Sequence, residues 1–150
     1  MRKYILCSIG FFVSIDIAHG QQLDAQSARL LGARTISCLF RTGLSANWIE
    51  GAPAMRLSQF SSTGLLIIRS IDIRNRSAIY SGNIGEEAVV VMASPFALHF
   101  VERTDSGGLN TTTVFSAAKG GRHVAVHSRH SVIVGQPLPS QFHGLCDVVN

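Results

Sequence analysis

The sequence predicts an all-β protein: a small antiparallel up-and-down meander of about eight strands, closed or partly closed into a barrel, with a sandwich as the alternative. Two observations carry that expectation. The stretch from Ala97 to Val134 reads as three successive strands, Ala97 to Arg103, Leu109 to Ser116 and Arg122 to His130. They are joined by Thr104-Asp105-Ser106-Gly107-Gly108 and Ala118-Lys119-Gly120-Gly121. Runs rich in Val, Thr and Phe between glycine clusters are the signature of a β-meander. Upstream, apolar or alternating runs recur every roughly 8 to 12 residues, the spacing of small barrels and sandwiches. Closing such a sheet also removes its adhesive edges.

The elements follow in order. A chain of 150 residues holds one domain with a modest core, once targeting segments are set aside. Residues 1–20 read as a secretory signal peptide: Met1-Arg2-Lys3-Tyr4 is basic, Ile5 to Ile15 is almost wholly apolar, and Ala18-His19-Gly20 suits cleavage before Gln21. Asp16 interrupts that apolar run, which is shorter than the roughly 20 residues a spanning helix needs, so no stable membrane span is expected after cleavage. Residues 21–34 are a leader or a short helix, with Asp24 as N-cap and Gly32 as stop. Residues 35–150 form the single β-domain. Thr35 to Thr42 alternates Ile36, Cys38 and Phe40 against Ser37, Leu39 and Arg41, which suits a first strand with Cys38 inward. Gly43 to Pro53 breaks the alternation and reads as a loop carrying the only tryptophan, Trp48. Met55 to Phe60, Leu65 to Ile73, Arg76 to Ser81 and Glu87 to Ala93 are four further strands, with Arg74-Asn75, Gly82-Asn83 and Ser94-Pro95 among their turns. After Val134, Pro137 and Pro139 deny backbone donors and fix an extended tail that crosses one end of the barrel as a latch.

Loss of the signal removes Cys7 and leaves Cys38 and Cys146, which in an oxidising compartment suggest one disulfide. Closing a loop of about a hundred residues contributes up to roughly 4 to 5 kcal/mol in the chain-entropy model. The formal charge of +4 is spread thinly, and Arg69, Arg74 and Arg76 cluster at a hairpin end rather than along a stripe. Nucleic-acid binding, which requires a basic face with interleaved aromatics, is not expected.

Chemistry-bearing residues are sparse. His123, His127 and His130 lie close in sequence, with His99 one strand away. In a strand, however, His123 and His127 are about 13 Å apart and His130 faces the other way. No pair within that strand chelates a metal alone, so neither a metal nor a cofactor is assigned. Glu102 shares a face with Leu98 and Phe100. If both glycine turns keep an even register, Glu102 falls opposite Asn110, Arg129 follows on the same face, and His127 sits two positions along. The expectation is a partly buried Glu102–Arg129 pair beside His127 that fixes register rather than catalyses. No nucleophile elbow or zinc-protease helix is present, and no catalytic residue is assigned. Trp48 is the candidate binding residue, since loops on rigid scaffolds carry function.

The segments Phe100-Val101-Glu102-Arg103-Thr104, Asn110 to Phe115, Ala125 to His130 and Pro137 to Gln141, with the closing Gly144-Leu145-Cys146, resemble a group of small secreted bacterial proteins of uncharacterised function. The resemblance covers roughly the C-terminal half and reaches weakly to the strand holding Cys38. It implies export and a compact β-domain, and it supplies no catalytic residue. The expected function is a periplasmic or secreted, non-enzymatic β-barrel that binds an envelope or extracellular protein. The alternative is a small-ligand carrier, which requires an interior cavity of about 300 Å³ or more.

Overall fold

The computed structural model describes residues 25–82 and 85–149. The expected signal peptide and the corner residue Asn83 lie outside the described residues. The leader expected over 21–34 is helical at 25–31. Gly32 ends the helix, its N–H donating to the Ala28 carbonyl at 3.0 Å.

Nine strands follow: β1 (Thr35–Ile49), β2 (Ala52–Gln59), β3 (Leu65–Asp72), β4 (Ser77–Gly82), β5 (Gly85–Ser94), β6 (Ala97–Arg103), β7 (Leu109–Lys119), β8 (Arg122–Ile133) and β9 (Gln136–Val149). They form one antiparallel sheet in the order β2-β1-β3-β4-β5-β6-β7-β8-β9, and an additional β1–β9 pairing closes it. The expected barrel of eight strands is present, but with a different membership. The expected second strand, β2, lies outside the ring, and the proline-containing tail is its last stave.

The tail is therefore not a latch across one end. Pro137 and Pro139 pair with Val132 and His130 of β8, whereas β1 joins β9 only from Ser140 onward. A proline is accepted where the strand's other edge is open, because no ladder bond is lost there. The disulfide links Cys38 and Cys146, 108 positions apart, and these two residues face each other directly across the β1–β9 seam. The expected staple is thus present, inside the ladder that closes the barrel.

Strict alternation fills the interior. Ile36, Cys38 and Phe40 of β1, Ile68 of β3, Leu98 and Phe100 of β6, Val114 of β7, and Phe142 and Cys146 of β9 are all essentially without solvent exposure. Leu30 from the helix is equally buried and closes one end, where Arg29 also donates to the Gly121 carbonyl at the β7–β8 turn. In that turn Gly120 and Gly121 have φ of 60° and 77°, the left-handed geometry that a two-residue hairpin loop demands.

The seam carries a tight corner. Phe40 sits opposite Gly144, Gly43 sits opposite Phe142, and the register slips between the two pairs. A Cβ on Gly43 would lie 2.0 Å from the Gln141 carbonyl oxygen, and one on Gly144 would lie 2.6 Å from the Phe40 ring. Each phenyl ring thus covers the bare backbone of the opposite glycine, a device that lets strands bend sharply at a bulge.

Candidate functional site

Beyond the seam, β1 continues well past the end expected for it. Leu44, Ala46 and Trp48 pair with Leu57, Met55 and Pro53, so Gly43 to Pro53 is a hairpin built from β1 and β2 and not a loop. Leu44-Ser45-Ala46-Asn47-Trp48 and Met55-Arg56-Leu57-Ser58 both alternate apolar with polar, a signal that was available, but Gly43 interrupts the run that leads into them. Trp48 stands on a strand near the hairpin tip and is 46% exposed. Met55 and Leu57 on the same face are 61% and 80% exposed. β2 pairs only with β1, which leaves its outer backbone edge open. A groove of about 330 Å³ runs beside it, lined by Leu44, Ala46, Met55, His130, Pro139 and His143.

A second site lies at the barrel end opposite the helix. Here the interior turns polar, and a cavity of about 270 Å³ opens between Phe60, Leu66, Tyr80, Glu102, Asn110 and Arg129, with Glu87 at its rim. The expected register is present: Glu102 faces Asn110, and Asn110 faces Arg129. The expected Glu102–Arg129 ion pair is not. Among the described residues the ion pairs are Arg69–Glu86 and Arg122–Asp147. The reason is lateral spacing, since two strand intervals separate the backbones of Glu102 and Arg129 by about 9 to 10 Å. Asn110 occupies the gap and donates from Nδ2 to Glu102 Oε2 at 2.6 Å.

Arg129 instead turns toward aromatic rings. Its guanidinium carbon lies 4.4 Å from the Phe60 ring centre and 5.0 Å from that of Phe142. Nη2 donates to the Phe60 carbonyl at 3.1 Å, and Nε donates to His127 Nε2 at 3.2 Å. That last bond makes His127 Nε2 an acceptor and places the ring proton on Nδ1, which donates to Thr112 Oγ1 at 2.8 Å. Burial and then the neighbouring Arg129 charge push the His127 pKa down to about 3, so the imidazole is neutral across the physiological range. His127 is thus beside Arg129 as expected, but serves as its acceptor. Burial also lowers the Arg129 pKa, against an opposing attraction from Glu102.

Tyr80 completes the mouth. It is 4% exposed, and burial raises its phenol well above the usual range, with Thr112 near enough to temper the rise. Even so, Tyr80 Oη makes no hydrogen bond among the described residues. Sequence reasoning missed both Tyr80 and Phe60. Tyr80 shares the inward parity of Ala78 on β4, a signal that was available. Phe60 was not legible as a site residue: it closes the cavity because the β2–β3 connection folds back, its N–H donating to the Arg41 carbonyl at 3.0 Å.

The other histidines are dispersed. His123 is buried near the helix-capped end, its Nδ1 3.0 Å from the Phe115 carbonyl oxygen, while His99 contacts Thr113. Among the described residues no group of three or more His, Cys, Asp or Glu side chains is arranged to hold a metal ion. No helix among them is long and apolar enough to cross a membrane. Comparisons with family models, curated proteins and solved structures return no match.

Proposed function

We propose that the mature chain is an exported, non-enzymatic binding domain that docks an envelope or extracellular protein through the β1–β2 extension. One observation carries this: Trp48, Met55 and Leu57 are exposed together on a strand pair whose outer backbone edge is free. An extended segment of a partner can add as a further strand to such an edge, with its main chain supplying affinity and the apolar side chains supplying specificity. Aromatic anchors such as Trp48 are enriched at the centres of protein interfaces. Export is supported by the disulfide, since such bonds persist in oxidising compartments. The resemblance of the C-terminal half to small secreted proteins points the same way. A barrel-wide carrier cavity is disfavoured, because Phe40, Phe100, Phe142, Ile36, Ile68 and Leu98 fill the interior.

A photo-crosslinking residue placed at position 57 tests the proposal in cells that export the protein. The expected result is one discrete adduct with another protein, absent when the probe sits at Val90 across the barrel and lost in the Trp48→Ser background. Equal labelling from both positions refutes the docking surface. An adduct of the chain with itself, matched by concentration-dependent dimerisation in sedimentation, replaces the foreign partner with a second copy.

A further inference from the structure

From the barrel mouth we infer a second binding site, distinct from the docking face although Arg129 borders both, for a small aliphatic zwitterion the size of a free amino acid. Three features of the cavity carry it. First, Glu102 and Arg129 are buried or half-buried, line the same space, and do not pair with each other. Glu102 Oε1 makes no hydrogen bond among the described residues. Of the five guanidinium N–H groups of Arg129, two are engaged, one by His127 and one by Phe60, which leaves three. A cation and a carboxylate held apart across one cavity are complementary to a ligand bearing the opposite charges at its two ends.

Second, the two charges are kept apart by built contacts: Asn110 donates to Glu102 Oε2, while His127 and the Phe60 carbonyl hold Arg129. Third, the remaining wall is apolar, formed by Phe60, Leu65 and Leu66. The volume of about 270 Å³ is room for about nine non-hydrogen atoms at the density of liquid water. That is just below the roughly 300 to 1,000 Å³ typical of pockets for drug-sized ligands.

The site assigns roles by atom. Glu102 Oε1, reinforced by the Glu87 charge at the rim, receives the ligand's ammonium. Arg129 donates to its carboxylate. Phe60, Leu65 and Leu66 cover its aliphatic side chain. His127 holds Arg129 in place and stays neutral, so it adds no charge to the site.

Three matched probes test this by titration calorimetry on the oxidised mature protein: L-leucine, isopentylamine and 4-methylpentanoate. They share one aliphatic group and differ in charge. L-Leucine is expected to bind saturably, and each single-charge probe roughly tenfold or more weakly, the loss typical of one charged hydrogen bond. Glu102→Gln should weaken L-leucine by a similar factor and leave 4-methylpentanoate unchanged. Because a variant at a buried site can fail to fold, amide chemical shifts of the unaltered protein supply a second readout, and L-leucine should move those of Asn110 and Phe60. Absence of saturable L-leucine binding at millimolar concentration, equal affinity for all three probes, or shifts confined to residues away from the mouth each overturns the inference.

Discussion

The two halves of β1 belong to one strand and lead opposite lives. From Ile36 to Phe40 it lies between β3 and β9, its inward side chains are buried, and a disulfide ties it to the seam. From Leu44 to Ile49 it pairs with β2 throughout but with β9 only at Leu44 and Ser45, and Leu44, Trp48 and Ile49 remain nearly half exposed. Backbone pairing is two-sided in the lower half and one-sided beyond Ser45. The difference is that the lower half has a sheet curled around it and the upper half does not. Pairing creates a strand, but only closure creates a core, and an apolar face without closure is left for another molecule.

This contrast can be broken most forcefully at the lower half. Phe40→Ala removes a ring in contact with Phe60 and His127, and it uncovers Gly144. The expected loss is about 3 to 5 kcal/mol in urea unfolding. A loss below about 1 kcal/mol would show that the seam is not the structural centre.

Acid attacks the same region by a different route. In the unfolded chain His127 titrates near its ordinary 6.5, whereas in the fold it titrates near 3. The unfolded state therefore binds more protons between these values, so stability is fully present above pH 6.5 and falls as the pH drops toward 3. The decrease is on the order of 4 kcal/mol for this one group. Melting temperature followed against pH should decline across that window, and His127→Gln should flatten the decline.

Breaking the disulfide, by Cys38→Ala together with Cys146→Ala, should cost roughly 2 to 5 kcal/mol by chemical unfolding. Far-ultraviolet circular dichroism should still report a β-protein under native conditions, because the β1–β9 ladder does not depend on the sulfurs alone. Gly43→Ala marks the boundary between the halves. Its Cβ meets backbone that cannot retreat cheaply, and the expected loss is about 1 to 3 kcal/mol in the same assay. At the upper half the effect on folding should nearly vanish. Met55→Ser is expected to shift stability by no more than about 0.5 kcal/mol while abolishing partner adducts from the probe at position 57. If it destabilises the fold as strongly as Gly43→Ala, the extension is part of the core.

Much of the barrel was legible without coordinates because its information is local. Glycine pairs set the turns at 107–108 and 120–121, and alternation set the faces of β6, β7 and β8. Those two signals sufficed to place Glu102, Asn110 and Arg129 in one row. The disulfide was legible from cysteine count and compartment. Two elements escaped, one local and one set by a partner distant in sequence. The β1–β2 hairpin alternates apolar with polar, but Gly43 interrupts the run that leads into it, and the tail's prolines suggested departure from the sheet, when an open edge was enough to admit them.

The sequence by itself determined an all-β chain, its meander register and its two pairing cysteines, since turn chemistry and period-two patterning act over a few residues. Tertiary structure alone decided that β9 closes on β1, that β2 is left outside, and that Arg129 stacks on Phe60 and Phe142 instead of meeting Glu102. Those outcomes depend on the curvature of a closed sheet, which brings together rings and charges whose proximity no short window of residues encodes.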